Sequence, residues 1–172
     1  VERSRGLGDV YKRQVIPISK LHISRSLKKL CRKKKFEFSI NHDFLSTISN
    51  CANREETWIN KSIISTYNTL HDLGYAHSIE VWEDKKLKGG LYGVAIGKVF
   101  FAESMFSTSS NGSKLALIAL MGTLANVPIN AINANFDPFE LVENILSAKK
   151  TLPIATPYRP PFNFLSSQTS IE

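Results

Sequence analysis

Gly89-Gly90-Leu91-Tyr92-Gly93-Val94-Ala95-Ile96-Gly97-Lys98-Val99-Phe100-Phe101-Ala102-Glu103-Ser104-Met105-Phe106-Ser107 reads as two short strands joined by a tight turn. Gly97-Lys98 is placed to make the turn, and Gly89, Gly90 and Gly93 allow another chain segment to come close. Val99, Phe100 and Phe101 have the β-branched and aromatic character of a buried strand. Glu103 is the one acid in that second strand. An ionised carboxylate is costly to bury unless it meets a partner or a ligand. A strand-end carboxylate facing water is the other reading, and this stretch alone leaves both open.

On the N-terminal side, Ala76–Trp82 alternates well enough for a strand, and Glu83-Asp84-Lys85 supplies a turn into the hairpin. Asn41 or Asp43 can cap a helix running through about Ala52, with Phe44, Leu45 and Ile48 apolar. A second helix is expected from about Lys61 to Leu73. Ile63, Ile64, Tyr67, Leu70 and Leu73 share its apolar face, and Gly74 is a fitting stop. On the C-terminal side, Ser113–Asn126 is rich in Leu and Ala and reads as a helix ended by Pro128. Ile129–Phe136 reads as a further strand, and Phe139–Lys150 as one more helix among prolines. The order helix, helix, strands, helix, strand predicts an α+β fold.

The 172 residues can form one domain with a proper core. Hydrophobic content of 42% and charged content of 22% fit a soluble globular chain. No apolar run approaches the ~20 residues that span a bilayer, and no apolar stretch with a small-residue cleavage site stands at the N-terminus. Cys31 and Cys51 fall on predicted helices and suggest neither a disulfide framework nor a zinc site. The expected compartment is therefore the cytoplasm, with no membrane partner.

The net charge of +7 belongs to one end, since residues 1–35 hold 12 of the 22 Lys and Arg but only 2 of the 15 acids. Arg25, Lys28, Lys29, Arg32, Lys33, Lys34 and Lys35 form a dense basic group. Leu27, Leu30 and Cys31 fall at helical spacing, so one stripe can bury while the cations project. Such a group is either a solvated helix face or a phosphate clamp. With no acid among the seven, phosphate binding is the expected role. No aromatics interleave the cations, which points to a grip on an RNA backbone rather than to base stacking.

His22, His42, His71 and His77 show no metal-ligand spacing and accompany no Ser or Cys nucleophile motif. Structural or surface histidines are expected. Asn111-Gly112-Ser113-Lys114 lacks the G-x-x-x-x-G-K pattern and reads as a turn and helix cap. No metal and no cofactor are expected.

Several blocks together resemble one family. Gly89–Ser107 resembles the GG-hydrophobic-YG-V-A-x-G and F-x-G-E-S-M-F-S signature of leucyl/phenylalanyl-tRNA–protein transferases, with Ala102 where the family has Gly. Leu21–Ser26 resembles L-H-I-S-R-S, Arg54–Ile59 resembles R-x-x-T-W-I, and Leu70–Trp82 resembles L-H-x-x-G-x-A-H-S-V-E-x-W. The blocks keep the family's order and spacing over about residues 15–120. The resemblance implies an N-acetyltransferase-like (GNAT-like) catalytic domain. It also implies transfer of Leu or Phe, with Met a further option, from aminoacyl-tRNA to the N-terminal Arg or Lys of acceptor proteins in the N-degron pathway. The expected partners are thus charged tRNA and acceptor proteins, and the expected state is a monomer.

Residue by residue, the resemblance implies an aminoacyl side-chain pocket from Trp58, Leu91, Phe100 and Leu120, with Phe100 beside Trp58 and Ala102 close by. Glu103 matches the glutamate associated with a substrate amino group. Asn133 and Asn135 stand where the family reads hydrophobic-I-D-x-Q, the pair implicated in activating the attacking amine. Asn cannot accept a proton as Asp can. The downstream H-x-x-S-L-G-A pattern is missing. Residues 1–14 match nothing in the family and are expected to be foreign. Residues 15–137 are then a transferase domain truncated at its N-terminus, and 138–172 a divergent or disordered tail. A tRNA-binding chain without catalysis is the first alternative. Another GNAT-like N-acyltransferase is the second, weakened by the lack of a Gly-rich pyrophosphate loop at a helix start.

Overall fold

A computed structural model describes residues 15–33, 35–97 and 99–126. Their order is α1 (Arg25–Cys31), β1 (Glu37–Ile40), α2 (Phe44–Ala52), α3 (Lys61–Asp72), β2 (Ala76–Glu83), β3 (Lys86–Ile96), β4 (Val99–Ser107) and α4 (Gly112–Asn126). A single 3-10 turn, Ile18–Lys20, precedes them. The fold is α+β, as the element order predicted. The four strands pair antiparallel in the order β1-β2-β3-β4. The strand expected at Ile129–Phe136, the helix at Phe139–Lys150, the stop at Pro128, and Lys34, Asn133 and Asn135 lie outside the described residues.

Local chemistry sets most of the boundaries. Ser24, Asp43 and Asn60 each accept a hydrogen bond from a first-turn N–H of α1, α2 and α3, at 3.3, 3.0 and 3.0 Å. Asp84 and Lys85 both take positive φ, 51° and 58°, so the β2–β3 hairpin turns as a type I′ pair. Gly97 adopts φ +61° in the β3–β4 turn. Two readings needed correction. Leu73 does not join the apolar face of α3: it is the C-cap, 64% exposed, because the chain leaves the helix there. The edge strand β1 was not anticipated, since four residues after a run of cations carry too little periodicity to announce a strand.

Both faces of the sheet are covered. On one, Ile79, Val81 and Leu91 meet Leu115, Ala119 and Leu120 of α4, with Leu27, Leu30 and Cys31 of α1 packed alongside. On the other, Ala76, Tyr92 and Phe106 meet Phe44, Ile48 and Cys51 of α2 and Tyr67 of α3. α4 is apolar around most of its circumference, as expected for a helix at the centre of a core. Its first residue, Gly112, docks on Gly89 so tightly that a Cβ on Gly89 would stand 2.5 Å from the Gly112 carbonyl carbon.

Candidate functional site

The β3–β4 ladder carries one irregularity, and Glu103 is on it. Gly93 pairs with Ala102 and Tyr92 pairs with Ser104, so Glu103 faces no partner across the ladder. This is a β-bulge, which re-aims side chains relative to the regular strand. Phe100 on one side of it packs on the α4 cluster, and Phe106 on the other side packs on the α2–α3 cluster. Glu103 is half-buried and stands near Tyr67 of α3, close enough for its charge to act on the Tyr67 hydroxyl. Burial raises the Tyr67 phenol above its ordinary value, and the Glu103 charge raises it further. This acid is therefore partly covered, with a phenol nearby.

Beside the bulge, Arg54 leaves the end of α2 and donates to Ser104 Oγ at 3.1 Å and to the Met105 carbonyl. Desolvation pushes the Cys51 thiol up to about 11, against smaller opposite effects of Ser104 and Arg54. Cys51 is then a neutral thiol at pH 7 and no nucleophile. An open groove of about 350 Å³ runs along this edge, lined by Asn50, Asn53, Arg54 and the segment Met105–Thr108.

The apolar candidates divide. Leu91 and Leu120, 0% and 3% exposed, sit in the α4-side cluster, and Phe100 packs against it. Ala102 is exposed on β4. Trp58 is 52% exposed in the α2–α3 connection, next to Ile59 of the opposite cluster, and belongs to neither cluster itself. The structure thus brings Leu91, Phe100 and Leu120 together on one face, turns Glu103 to the other, and leaves Trp58 outside both clusters.

The basic group is less uniform than its sequence suggests. α1 ends at Cys31, so Arg32 and Lys33 stand in the following turn rather than on the helix. Arg25, Lys29, Arg32 and Lys33 are exposed and Lys28 is half-buried. Lys35 is paired with Glu83, which raises its pKa, first through the hydrogen bond and then through charge. That partner comes from the end of β2, far along the chain, so no acid near the cations could reveal it.

Among the described residues no three His, Cys, Asp or Glu converge as metal ligands. His71 stacks on Phe44 at 4.3 Å and bonds the Ala76 carbonyl through Nδ1 at 2.8 Å. His77 is buried 3.1 Å from the Asn41 amide, and desolvation lowers it to about 4, so it is neutral at pH 7. His22 and His42 are exposed. A second acid escaped the sequence reading. Glu80 is 0% exposed on β2. It accepts from Ser78 Oγ at 2.5 Å, Ser39 Oγ at 2.6 Å and the His42 N–H at 3.4 Å. Trp82 Nε1 donates in turn to Ser39 at 2.7 Å. The available signal was Ser78, Glu80 and Trp82 at period two, which places three hydrogen-bonding side chains on one face of a strand.

Comparison with known proteins follows the same segments. The family profile described as leucyl/phenylalanyl-tRNA protein transferase matches residues 15–143. Curated relatives bear that name, among them the following three. The one from Dinoroseobacter shibae is 44% identical over 128 residues, which cover 74% of this chain and 57% of the relative. The one from Maricaulis maris is 49% identical over 120 residues, 67% and 56% of the two chains. The one from Psychromonas ingrahamii is 54% identical over 112 residues, 63% and 47%. The chain spans about half the length of the curated relatives it matches.

Proposed function

The chain belongs to the leucyl/phenylalanyl-tRNA protein transferase family, and from that premise we propose that it carries part of an aminoacyltransferase that moves Leu or Phe from aminoacyl-tRNA to the N-terminal Arg or Lys of acceptor proteins. The observation that carries this reading is the bulge at Glu103, a half-buried carboxylate near Tyr67 inside the segment that matches the family. A half-buried carboxylate suits a substrate ammonium, which would pair its charge. The acceptor's α-amine, once deprotonated, attacks the ester carbonyl. A C–N bond forms, the C–O bond to the tRNA ribose breaks, and the ribose oxygen leaves with a proton. The ester is already activated, so positioning and proton removal suffice, with no metal or nucleotide cofactor. Residues 15–137 would be the GNAT-like transferase domain, acting as a monomer in the cytoplasm where charged tRNA is found, with 1–14 foreign to it and 138–172 a divergent tail. No described helix is long and apolar enough to cross a membrane.

A second reading, an RNA-binding chain without transfer, is favoured by Asn133 and Asn135 at the positions of the family's acid and amide. Incubation with Leu-tRNA or Phe-tRNA and a peptide starting with Arg separates the two. A labelled Leu or Phe added to the peptide's N-terminus supports transfer, and tRNA binding without it supports the second reading.

Two further outcomes are expected. Lys28, Lys29, Arg32 and Lys33 changed together to Ala should weaken tRNA binding and flatten its salt dependence, because fewer counterions are released. Lys35→Ala should change the slope less, since its charge is already paired with Glu83. Binding titrations at several salt concentrations check this, and an unchanged slope in the quadruple variant would make the cations a solvated face. Trp58→Ala should change stability by no more than about 0.5 kcal/mol, because the ring is outside the core. It should weaken binding of a Phe-bearing aminoacyl-adenosine analogue by about 2 kcal/mol if the ring is a ligand anchor. Equal loss for bare tRNA and the analogue would remove Trp58 from the pocket.

A further inference from the structure

Tyr92 is fully buried, and its hydroxyl has no hydrogen-bond partner among the described residues. A phenylalanine would fill the same space without leaving an orphan polar atom, so the hydroxyl costs stability that the fold need not lose. Its ring packs among the apolar side chains of the α2–α3 face, Phe44 included. Tyr92 sits across the ladder from Ser104, next to the bulged Glu103. Its ring meets that of Tyr67 edge-on, with centroids 5.2 Å apart at 80°. Tyr67, in turn, is near enough to feel the Glu103 charge. Tyr67 of α3, Cys51 of α2, Arg54 beyond it and Glu103 of β4 all act electrostatically on the Tyr92 hydroxyl.

We propose that Tyr92 is a positioning residue for Glu103: when a primary ammonium engages the carboxylate, the Tyr67 and Tyr92 hydroxyls are the two donors that hold the carboxylate from behind. A carboxylate has about four lone-pair sites, enough for one ammonium N–H and two phenols. Both phenols lie in the cluster on the α2–α3 face, and the Tyr92 hydroxyl stands unpartnered there. Two donors on a fixed backbone restrict the carboxylate to one rotamer, which its position in a bulge does not do alone. This inference rests on the reading of Glu103 as the group that meets a substrate ammonium.

The test compares Tyr92→Phe, Tyr67→Phe and Glu103→Gln in the full chain. Thermal midpoints are measured together with affinity for a peptide bearing a free N-terminal arginine and for its N-acetylated form. Tyr92→Phe is expected to keep or raise the midpoint. It should weaken binding of the free-amine peptide about tenfold, the scale of one hydrogen bond to a charged group, and leave the acetylated peptide unchanged. Tyr67→Phe should show the same selectivity for the free amine. A lower midpoint with unchanged affinity would assign the Tyr92 hydroxyl a purely structural role, such as holding a buried water, and overturn the proposal. A raised midpoint with unchanged affinity would overturn it as well. If Glu103→Gln weakens free-amine binding and Tyr92→Phe does not, the positioning role alone is wrong. If Glu103→Gln leaves that binding intact, the reading of Glu103 falls and the positioning role with it.

Discussion

Alanine in place of Gly93 is expected to destabilise the protein by about 3 kcal/mol or more, the range of severe backbone and packing clashes. A Cβ at this position would stand 2.2 Å from the Phe101 carbonyl oxygen and 2.6 Å from Phe100 Cε1. The carbonyl belongs to the backbone of the paired strand and cannot swing aside as a side-chain tip can. Relief would require β4 to move away from β3 or the bulge to straighten. Straightening would shift the register between Ala102 and Ser104 and carry Glu103 off the α3 face. A second effect is therefore expected: Gly93→Ala should move Glu103 away from Tyr67 even in molecules that remain folded. Gly97→Ala is the comparison. It has open space but a φ of +61°, so its cost should be about 1–2 kcal/mol. Denaturant unfolding of the two variants checks the order. A loss below that of Gly97→Ala would mean that β4 yields easily and that the bulge is not held by this glycine.

Aminoacyl transfer is expected to rise by roughly 10²–10⁴-fold when Asn133→Asp and Asn135→Gln are made together, which is the usual worth of general-base assistance. The reasoning is chemical. An asparagine amide is not a base at neutral pH, and the attacking ammonium must lose a proton before its nitrogen can attack. An acid at 133 supplies the negative charge and a glutamine at 135 the acceptor oxygen that the family pattern calls for. Substrate affinity should change little, so the gain is read in turnover with Phe-tRNA and an Arg-initiated peptide. Because the chain spans about half the length of its relatives, the pair is also to be tested in a chimera carrying a relative's additional length. Efficient transfer by that chimera with both asparagines in place would show the pair dispensable. The proton would then go to the tRNA ribose, to water or to Glu103.

Much of the fold was legible residue by residue. The cap of α2, offered as Asn41 or Asp43 and found at Asp43, the stop at Gly74, the hairpin turns and the apolar α4 are local matters, decided by side chains within a few positions of each other. Family membership was also legible, because it rests on ordered blocks along the chain. The pocket was less so. Leu91, Phe100 and Leu120 do share one cluster, whereas Trp58 stays exposed outside it. A tryptophan in a sequence announces a need for contact without saying which surface provides it.

The sequence by itself determined the described elements other than β1, their order and the class of protein, since periodicity, capping and turn chemistry act over short separations. It marked Glu103 as an acid in an apolar strand but assigned it no surroundings. Only the tertiary structure decided that a bulge against Gly93 turns this carboxylate toward Tyr67, that Lys35 is paired with Glu83, and that Glu80 is wholly enclosed by hydroxyl and backbone donors. Each of these depends on strand register. A shift of one residue sends a side chain to the opposite face of the sheet, and pairings between distant segments leave no mark in the local pattern of either one.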